Sequence, residues 1–408
     1  MIYDAIIIGG GPAGLMAANI FSQEKVNFLL LEKNDQVGKK LLMTGGGRSN
    51  VTNNLSVPAF IDELDFKHKK FLYSTLSSFG PHDVLTFFKK KGLNLILEPP
   101  IKYFPETGKA SSILAALTRD IDKAKIKLKE HVIEVKKERQ YFQIKTKENE
   151  YLSKYLIIAT GSKSFPETGS NGDGLIFANH FNISIKEFTP AETSVYGFKD
   201  QLPFKQLKGA KLSNVRLFIN GKKSKFQDDM IFTHFGLSGP VIFHASHQIF
   251  NHLQKGNTKV SFSLCGLDYN ALNQYFINLD KEAKQVKTIL SKLIPNQLAT
   301  YIESRINYGH KPFRDLTKEE RINLVEILTN FEVNINHVED IQRAYVNAGG
   351  IDTLALNPKS FESKTIEHLY FVGETVDIFG PIGGFNITMA LSSGHTAANH
   401  IYHQLTHK

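Results

Sequence analysis

An apolar run, Ile2 to Ile8, is followed by a glycine-rich turn, a helical stretch from Leu15 to Gln23, and a second apolar run, Asn27 to Leu31, that ends on Glu32. Runs of this length between turn signals predict buried strands. The same signature returns at Tyr155 to Ala159 and again at Leu369 to Val372. Between them, apolar and polar residues alternate over Lys125 to Thr146, the pattern of a β-meander. An amphipathic segment spans His68 to Lys91, and Leu175 to Phe181 predicts a short helix. The character then changes. From Val195 to about Leu264 short β-like runs dominate, including Val215 to Ile219 before the turn Asn220-Gly221, and Lys259 to Leu264. From Tyr269 to Phe331 the spacing is helical, with Thr317 and Glu320 in capping-box positions before Arg321 to Leu328. The last seventy or so residues return to the opening theme: a strand, a glycine-rich loop from Gly373 to Gly384, and a helix from Phe385 to Tyr402. The middle third therefore reads as an insertion.

The first forty residues have the parts of a dinucleotide-binding unit. Gly9 permits the tight turn off the strand, Gly11 lets backbone N–H groups approach a pyrophosphate, and Gly14 lets the helix pack closely on the sheet. The helix N-terminus, with Pro12 and Ala13 in its first turn, directs unpaired N–H groups and the positive end of its dipole at the phosphates. Glu32 stands where a carboxylate accepts hydrogen bonds from a ribose diol and repels the 2′-phosphate of NADP. The adenosine half of FAD or NAD is the expected ligand. No second such unit with an acid follows, which favours resident FAD over NAD as a cycling substrate.

Composition narrows the class. The chain has 408 residues, 41% hydrophobic and 22% charged, which suits two or three globular domains. No apolar run approaches the roughly 20 residues of a membrane span, and MIYDAIIIGG has an acid and no basic segment before its apolar run, so a cytoplasmic protein is expected. A single cysteine, Cys265, leaves no C-x-x-C pair and argues against dithiol flavoenzymes. The net charge of +9 invites a nucleic-acid partner, but only 8 of the 49 basic residues are arginine and no basic helix or aromatic RNA-binding motif accompanies them. A solvated lysine-rich surface is the preferred reading, with a small molecule as substrate and no membrane partner; the sequence sets no oligomeric state.

Other loops supply candidate chemistry. TGGGRSN brings flexible glycines, the cation Arg48, suited to a pyrophosphate or to fixing the loop, and the amide Asn50. ATGS, with Thr160 and Gly161, follows a strand as a close backbone approach requires. Glu374 and Asp377 stand just past the last strand, suited to ribityl hydroxyls, and Gly383 to Asn386 place N–H groups at a helix N-terminus. Aimed at the pyrimidine edge of a flavin, that helix would stabilise the reduced ring. Tyr103 and Phe385 are candidate pocket walls, and His234 in FTHFGLSGP a candidate on the substrate side. His244 and His247 lack a third ligand and read as surface residues, so no metal is expected. His400, His403 and His407 suit the end of a helix.

The motifs GGGPAG, GKKLLMTGGGRSNVTN, KYFPETGKASS, ATGSKSFPETGSNGDG, THFGLSGP, YVNAGGI and FVGETVDIFGPIGGFNITMALSSG occur in this order over nearly the whole chain. Together they resemble a bacterial three-domain flavoprotein family that includes aminoacetone oxidase and BaiN-like NAD(P)/FAD-dependent oxidoreductases. The resemblance implies an α/β fold: a Rossmann-like domain binding FAD non-covalently and built from residues 1–192 and 341–408, a barrel-like β-rich substrate domain at 193–266 with a strand return near 331–340, and a helical domain at 267–330. It places Gly9, Gly11, Gly14, Glu32, Arg48, Asn50, Gly373, Glu374, Gly383, Gly384 and Asn386 near FAD. Pro12, Ala13, Lys33, Lys40, Gly46, Gly47, Val132, Thr160, Gly161, Asp377 and Phe385 complete the candidate set. The chain departs from the family at Ser49, where cysteine is usual, at Ser162, where glycine is usual, and at Ile378-Phe379 and Ile382. These departures bear on the isoalloxazine pocket and hence on the substrate. The implied activity is oxidation of a small substrate such as the primary amine aminoacetone, with oxygen as acceptor. The alternatives are an NAD(P)H-dependent reduction of an enone-like substrate, with the nicotinamide docking transiently, and a flavoprotein role in RNA modification or sensing. No catalytic base is assigned.

Overall fold

In the computed structural model, which describes residues 1–279 and 281–407, the apolar runs become the strands of a parallel sheet. Ile126–Leu128, Phe28–Glu32, Ile2–Ile8 and Glu150–Ile158 lie side by side in that order, each parallel to its neighbour. Phe28, Leu29, Leu30, Leu31 and Glu32 are all buried, as expected of a parallel strand covered on both faces. Glu150–Ile158 has two partners on its other edge. Its first half pairs antiparallel with Tyr141–Thr146 of the meander, while Leu156, Ile157 and Ile158 pair in parallel with Leu369, Tyr370 and Phe371. The last strand of the chain thus completes a sheet begun by the first.

Two helices meet beneath this sheet. The opening helix, Pro12–Gln23, packs on the C-terminal helix, Phe385–Thr406, and the backbones nearly touch: a Cβ on Gly394 would lie 2.1 Å from the carbonyl oxygen of Ala13.

The chain divides into two compact units, Met1–Thr189 with Val346–Lys408, and Pro190–Tyr345. Within the second, Val195–Gly197, Gly236–Ser238, Lys222–Phe232, Lys211–Ile219, Thr258–Phe262 and Phe331–Val338 close into a barrel. The sequence suggested separate barrel and helical domains, but one continuous apolar core joins Val215, Leu217 and Val260 of the barrel to Leu272, Phe276, Ile289 and Leu324 of the helices. A second difference is the helix Pro240–Leu253, set inside the stretch read as mostly β; its buried Val241, Ile242, Ala245 and Ile249 belong to that core. The capping box at Thr317 and Glu320 forms with both reciprocal bonds, starting the helix Lys318–Thr329.

Candidate functional site

The carboxyl ends of four parallel strands open onto one cleft, bordered by Gly9, Glu32, Thr160 and Gly373. Each of these residues ends a strand or follows one, the place where open α/β sheets bind ligands. The opening glycines are shaped by close approach. Gly9, at φ +107°, turns so tightly that a Cβ would sit 2.4 Å from the carbonyl oxygen of Ala159. Gly14 is closer still, its missing Cβ 2.0 Å from the Gly9 oxygen, so the helix is pressed against the turn it follows. Gly11 differs: a Cβ there meets nothing within 4 Å. Its open side belongs to the cleft that Gly11 lines. The helix starting at Pro12 has no side-chain cap, so its first-turn N–H groups remain available to an anion.

Glu32 is only 7% exposed. Its carboxylate accepts the Gly10 N–H at 2.8 Å through Oε2 and the backbone and side-chain N–H groups of Asn34 at 2.9 and 2.7 Å through Oε1. Carboxylate oxygens each accept more than one hydrogen bond, which leaves capacity for a ribose diol. Beyond it, Lys33 Nζ lies 2.6 Å from Asp173 Oδ2, at the start of the helix Asp173–His180. Lys40 Nζ lies 2.6 Å from Glu374 Oε2 and within hydrogen-bond reach of Ser164 Oγ at 2.5 Å and Ser162 Oγ at 3.3 Å. Ser162, where the family resemblance expects glycine, also donates to Glu374 at 3.1 Å. The departure thus adds a hydroxyl to the Lys40–Glu374 pair. Thr160 Oγ1 is buried without a hydrogen-bond partner among the described residues.

Of the expected cofactor residues, Gly9, Gly11, Pro12, Ala13, Glu32, Lys33, Lys40, Val132, Thr160, Gly161, Gly373, Glu374 and Asn386 line this cleft, and Gly14 supports it from behind. Gly46, Gly47, Arg48, Asn50, Asp377, Gly383, Gly384 and Phe385 do not line it. Arg48 pairs with Glu98 and lies 4.5 Å from the centre of the Phe104 ring. Asp377 accepts from Lys186 Nζ at 2.6 Å and the Gly349 N–H at 3.0 Å, so its carboxylate is committed away from ribityl hydroxyls. Asn50 donates to the carbonyls of Thr52 and Tyr103, at 3.1 and 2.9 Å. Gly384, at φ +81°, admits the backbone of Thr52, 2.4 Å from where its Cβ would be, and the Gly383 carbonyl accepts from Asn53. Asn50, Tyr103, Gly383, Gly384 and the tilted Phe60–Phe385 ring pair form a second cluster in the same unit.

Sequence reasoning missed Gly10, Asn34, Ser164 and Asp173. Asn34 had a local signal, two residues after the acid; the others acquire meaning only through partners distant in the chain. His234 is exposed in the barrel unit, edge-on to Phe235. His244 is a correction: expected at the surface, its side chain is 17% exposed, with Nδ1 2.9 Å from Glu192 Oε2. Among the described residues no helix is long and apolar enough to cross a membrane.

The cleft fits the adenosine diphosphate half of FAD on its own chemistry: an uncapped helix N-terminus, a glycine whose open side faces it, a ribose-reading acid, and an orphaned hydroxyl. Glu32→Ala is expected to weaken FAD binding by about 10- to 100-fold, the range for losing charge-assisted hydrogen bonds. Titration of the apoprotein with FAD measures it.

The HI0933-like protein Rossmann domain family matches residues 3–400. The chain is 30% identical to a ribosomal RNA dihydrouridine synthase of Haemophilus influenzae, with 98% of each chain covered. It is 26% identical to a 3-dehydro-bile acid delta(4,6)-reductase of Clostridium scindens, covering 96% of this chain and 97% of the other. Among solved structures, a flavocytochrome c3 fumarate reductase aligns with a TM-score of 0.52 at 14% identity, over 99% of this chain and 79% of that one. A 3-ketosteroid delta1-dehydrogenase of Sterolibacterium denitrificans aligns with a TM-score of 0.52 at 12% identity, over 99% and 100%. These two show a shared fold.

Proposed function

The chain belongs to the HI0933-like Rossmann family of FAD-dependent oxidoreductases, and on that basis we propose that it reduces a carbon–carbon double bond conjugated to a carbonyl, with uridine in RNA as the substrate. The observation that carries this reading is the full-length similarity to a ribosomal RNA dihydrouridine synthase. A second relative supports the reaction class, because its name also describes reduction of a double bond in an oxo compound. The C5=C6 bond of uracil is conjugated to the C4 carbonyl. An acceptor of this kind takes hydride at C6 and a proton at C5. The balance is one reduced nicotinamide, one proton and one uridine giving oxidised nicotinamide and dihydrouridine. Lysine-rich composition alone gave RNA little support; similarity over the whole chain supplies what composition lacks.

The chain's own residues have separable parts in this. The helix N-terminus at Pro12 and the loop glycines bind the pyrophosphate, and Glu32 selects the ribose. Lys40, held by Glu374, Ser162 and Ser164, sets a fixed positive charge beside the last strand end. FAD, when bound and reduced, supplies the hydride.

The test is anaerobic. Purified protein is mixed separately with NADH, NADPH and aminoacetone, and flavin bleaching is followed. The reduced protein is then mixed with an unmodified ribosomal RNA transcript, and its nucleosides are weighed by mass spectrometry. The expected result is bleaching by a nicotinamide and a uridine heavier by two hydrogens. Bleaching by aminoacetone, with no change in the RNA, would overturn the proposal in favour of the amine oxidase.

A further inference from the structure

The strand Lys102–Pro105 lies between Thr52–Asn53 and Leu95–Glu98, with Lys102 directly opposite Asn53 on one side and Glu98 on the other. Residues opposite each other in antiparallel strands share a face, so the three form one row. At one end of the row Asn53 Nδ2 donates to the Gly383 carbonyl at 3.2 Å. Beside it, Lys102 Cε lies 3.7 Å from where a Cβ on Gly383 would stand. At the other end the Glu98 carboxylate is engaged by Arg48. Lys102 is half-buried and makes no ion pair among the described residues. Gly383 and Gly384 lead into the helix Phe385–Thr406, which has neither a side-chain cap nor an acid in its first turn. A lysine without a counter-ion is therefore held beside the positive end of a 22-residue helix. Cations are favoured at the opposite end, so the arrangement is unfavourable until an anion joins it. The pyrophosphate is provided for elsewhere, by Gly11 and the helix starting at Pro12. Asn386, in the first turn of the C-terminal helix, lines the same cleft, so the rest of FAD has this second helix start as its neighbour.

We propose that Lys102 is the cation that holds the pyrimidine edge of the flavin and stabilises the negative charge the ring takes on when reduced. The oxidised ring is neutral, so the ammonium gains little from it; the reduced ring is the anion that relieves the conflict between Lys102 and the helix. A charge that favours one redox state over the other sets the potential. A solvated surface lysine would have no such preference, but Lys102 is half-buried, and the acid in its row is taken by Arg48. The inference rests on FAD as the cofactor and not on RNA as the substrate.

The test uses full-length, FAD-loaded protein, with potentials read by anaerobic equilibration against a reference dye. Lys102→Met is expected to bind oxidised FAD within about twofold of wild type but reduced FAD about tenfold less tightly, a potential lower by about 30 mV for a two-electron couple. The pH at which the reduced flavin loses its ring proton, followed by absorbance, should rise by about one unit, the same tenfold. Lys102→Arg keeps the charge and should restore both values. A residue that only packs beside Gly383 would instead lower the melting temperature and both FAD affinities together. That result overturns the assignment, as does a wild-type potential in Lys102→Met. The substrate is judged separately: a lowered potential with no dihydrouridine formed leaves Lys102 standing and removes RNA, while dihydrouridine formed at an unchanged potential does the reverse. Wild-type protein that takes up no FAD overturns the cofactor and the assignment together.

Discussion

Gly11→Val should give a protein that melts within a degree or two of the wild-type apoprotein yet retains no FAD. A Cβ at this position meets nothing within 4 Å, and the backbone, at φ −80°, suits any residue. The folded chain without ligand therefore has no reason to resist the change. The pyrophosphate does: a branched side chain would fill the space that its oxygens need to reach the helix N–H groups. Gly14→Ala is the contrasting case. Its Cβ would lie 2.0 Å from the Gly9 carbonyl oxygen, a backbone atom that no rotamer change can move. Strain of this kind costs about 1–3 kcal/mol and sometimes more, so this variant should lose both stability and cofactor. The ratio of flavin absorbance to protein, read beside thermal melting of cofactor-free samples, distinguishes the two. If Gly11→Val keeps its yellow colour through gel filtration, the cleft does not hold the pyrophosphate.

A second large effect is expected from acid. His395 follows Gly394 on the C-terminal helix, and its ring stacks on Phe79 at 4.3 Å between centroids. Burial disfavours its charged form and lowers its pKa from 6.5 to about 4, opposed weakly by Asp83. The unfolded chain therefore takes up this proton first as the pH falls. Stability is full above about 6.5 and declines towards 4 by about 1.4 kcal/mol per unit, up to about 3 kcal/mol in all. Because the helix Phe385–Thr406 also brings Asn386 to the cleft, the loss should show itself as early release of flavin. His395→Leu removes the titrating group while keeping an apolar partner for Phe79. Its melting temperature should fall less than that of the wild type between pH 7 and pH 4.5; parallel curves would disprove the assignment.

The parts legible in the sequence were those with a local cause. Parallel strands covered on both faces need runs of apolar residues, so Ala5 to Ile8 within Ile2–Ile8, and Phe28–Glu32, could be read directly, and Thr317 and Glu320 cap their helix through bonds spanning three residues. Lys40 and Glu374 are separated by 334 positions, and Lys33 and Asp173 by 140; no spacing rule joins such pairs. Asp377 shows the opposite error. Three positions from Glu374, it reads as sharing that residue's role, but the chain turns between them and Asp377 faces Lys186 instead. The helix Pro240–Leu253 was obscured by its surroundings, since the apolar residues it sends to the core follow and precede true strands.

The pairing of Leu369–Phe371 with Leu156–Ile158 has a consequence for synthesis on the ribosome. The barrel unit is made whole before the last strand exists, so it can fold while the edge of Glu150–Ile158 still lacks its second partner. Unpaired strand edges recruit other chains. Premature termination after Tyr345 would therefore leave a finished barrel attached to an incomplete, adhesive sheet with no C-terminal helix to complete its cleft. Cofactor capture then waits on the helix Phe385–Thr406, and the yellow colour becomes a report that this helix was made.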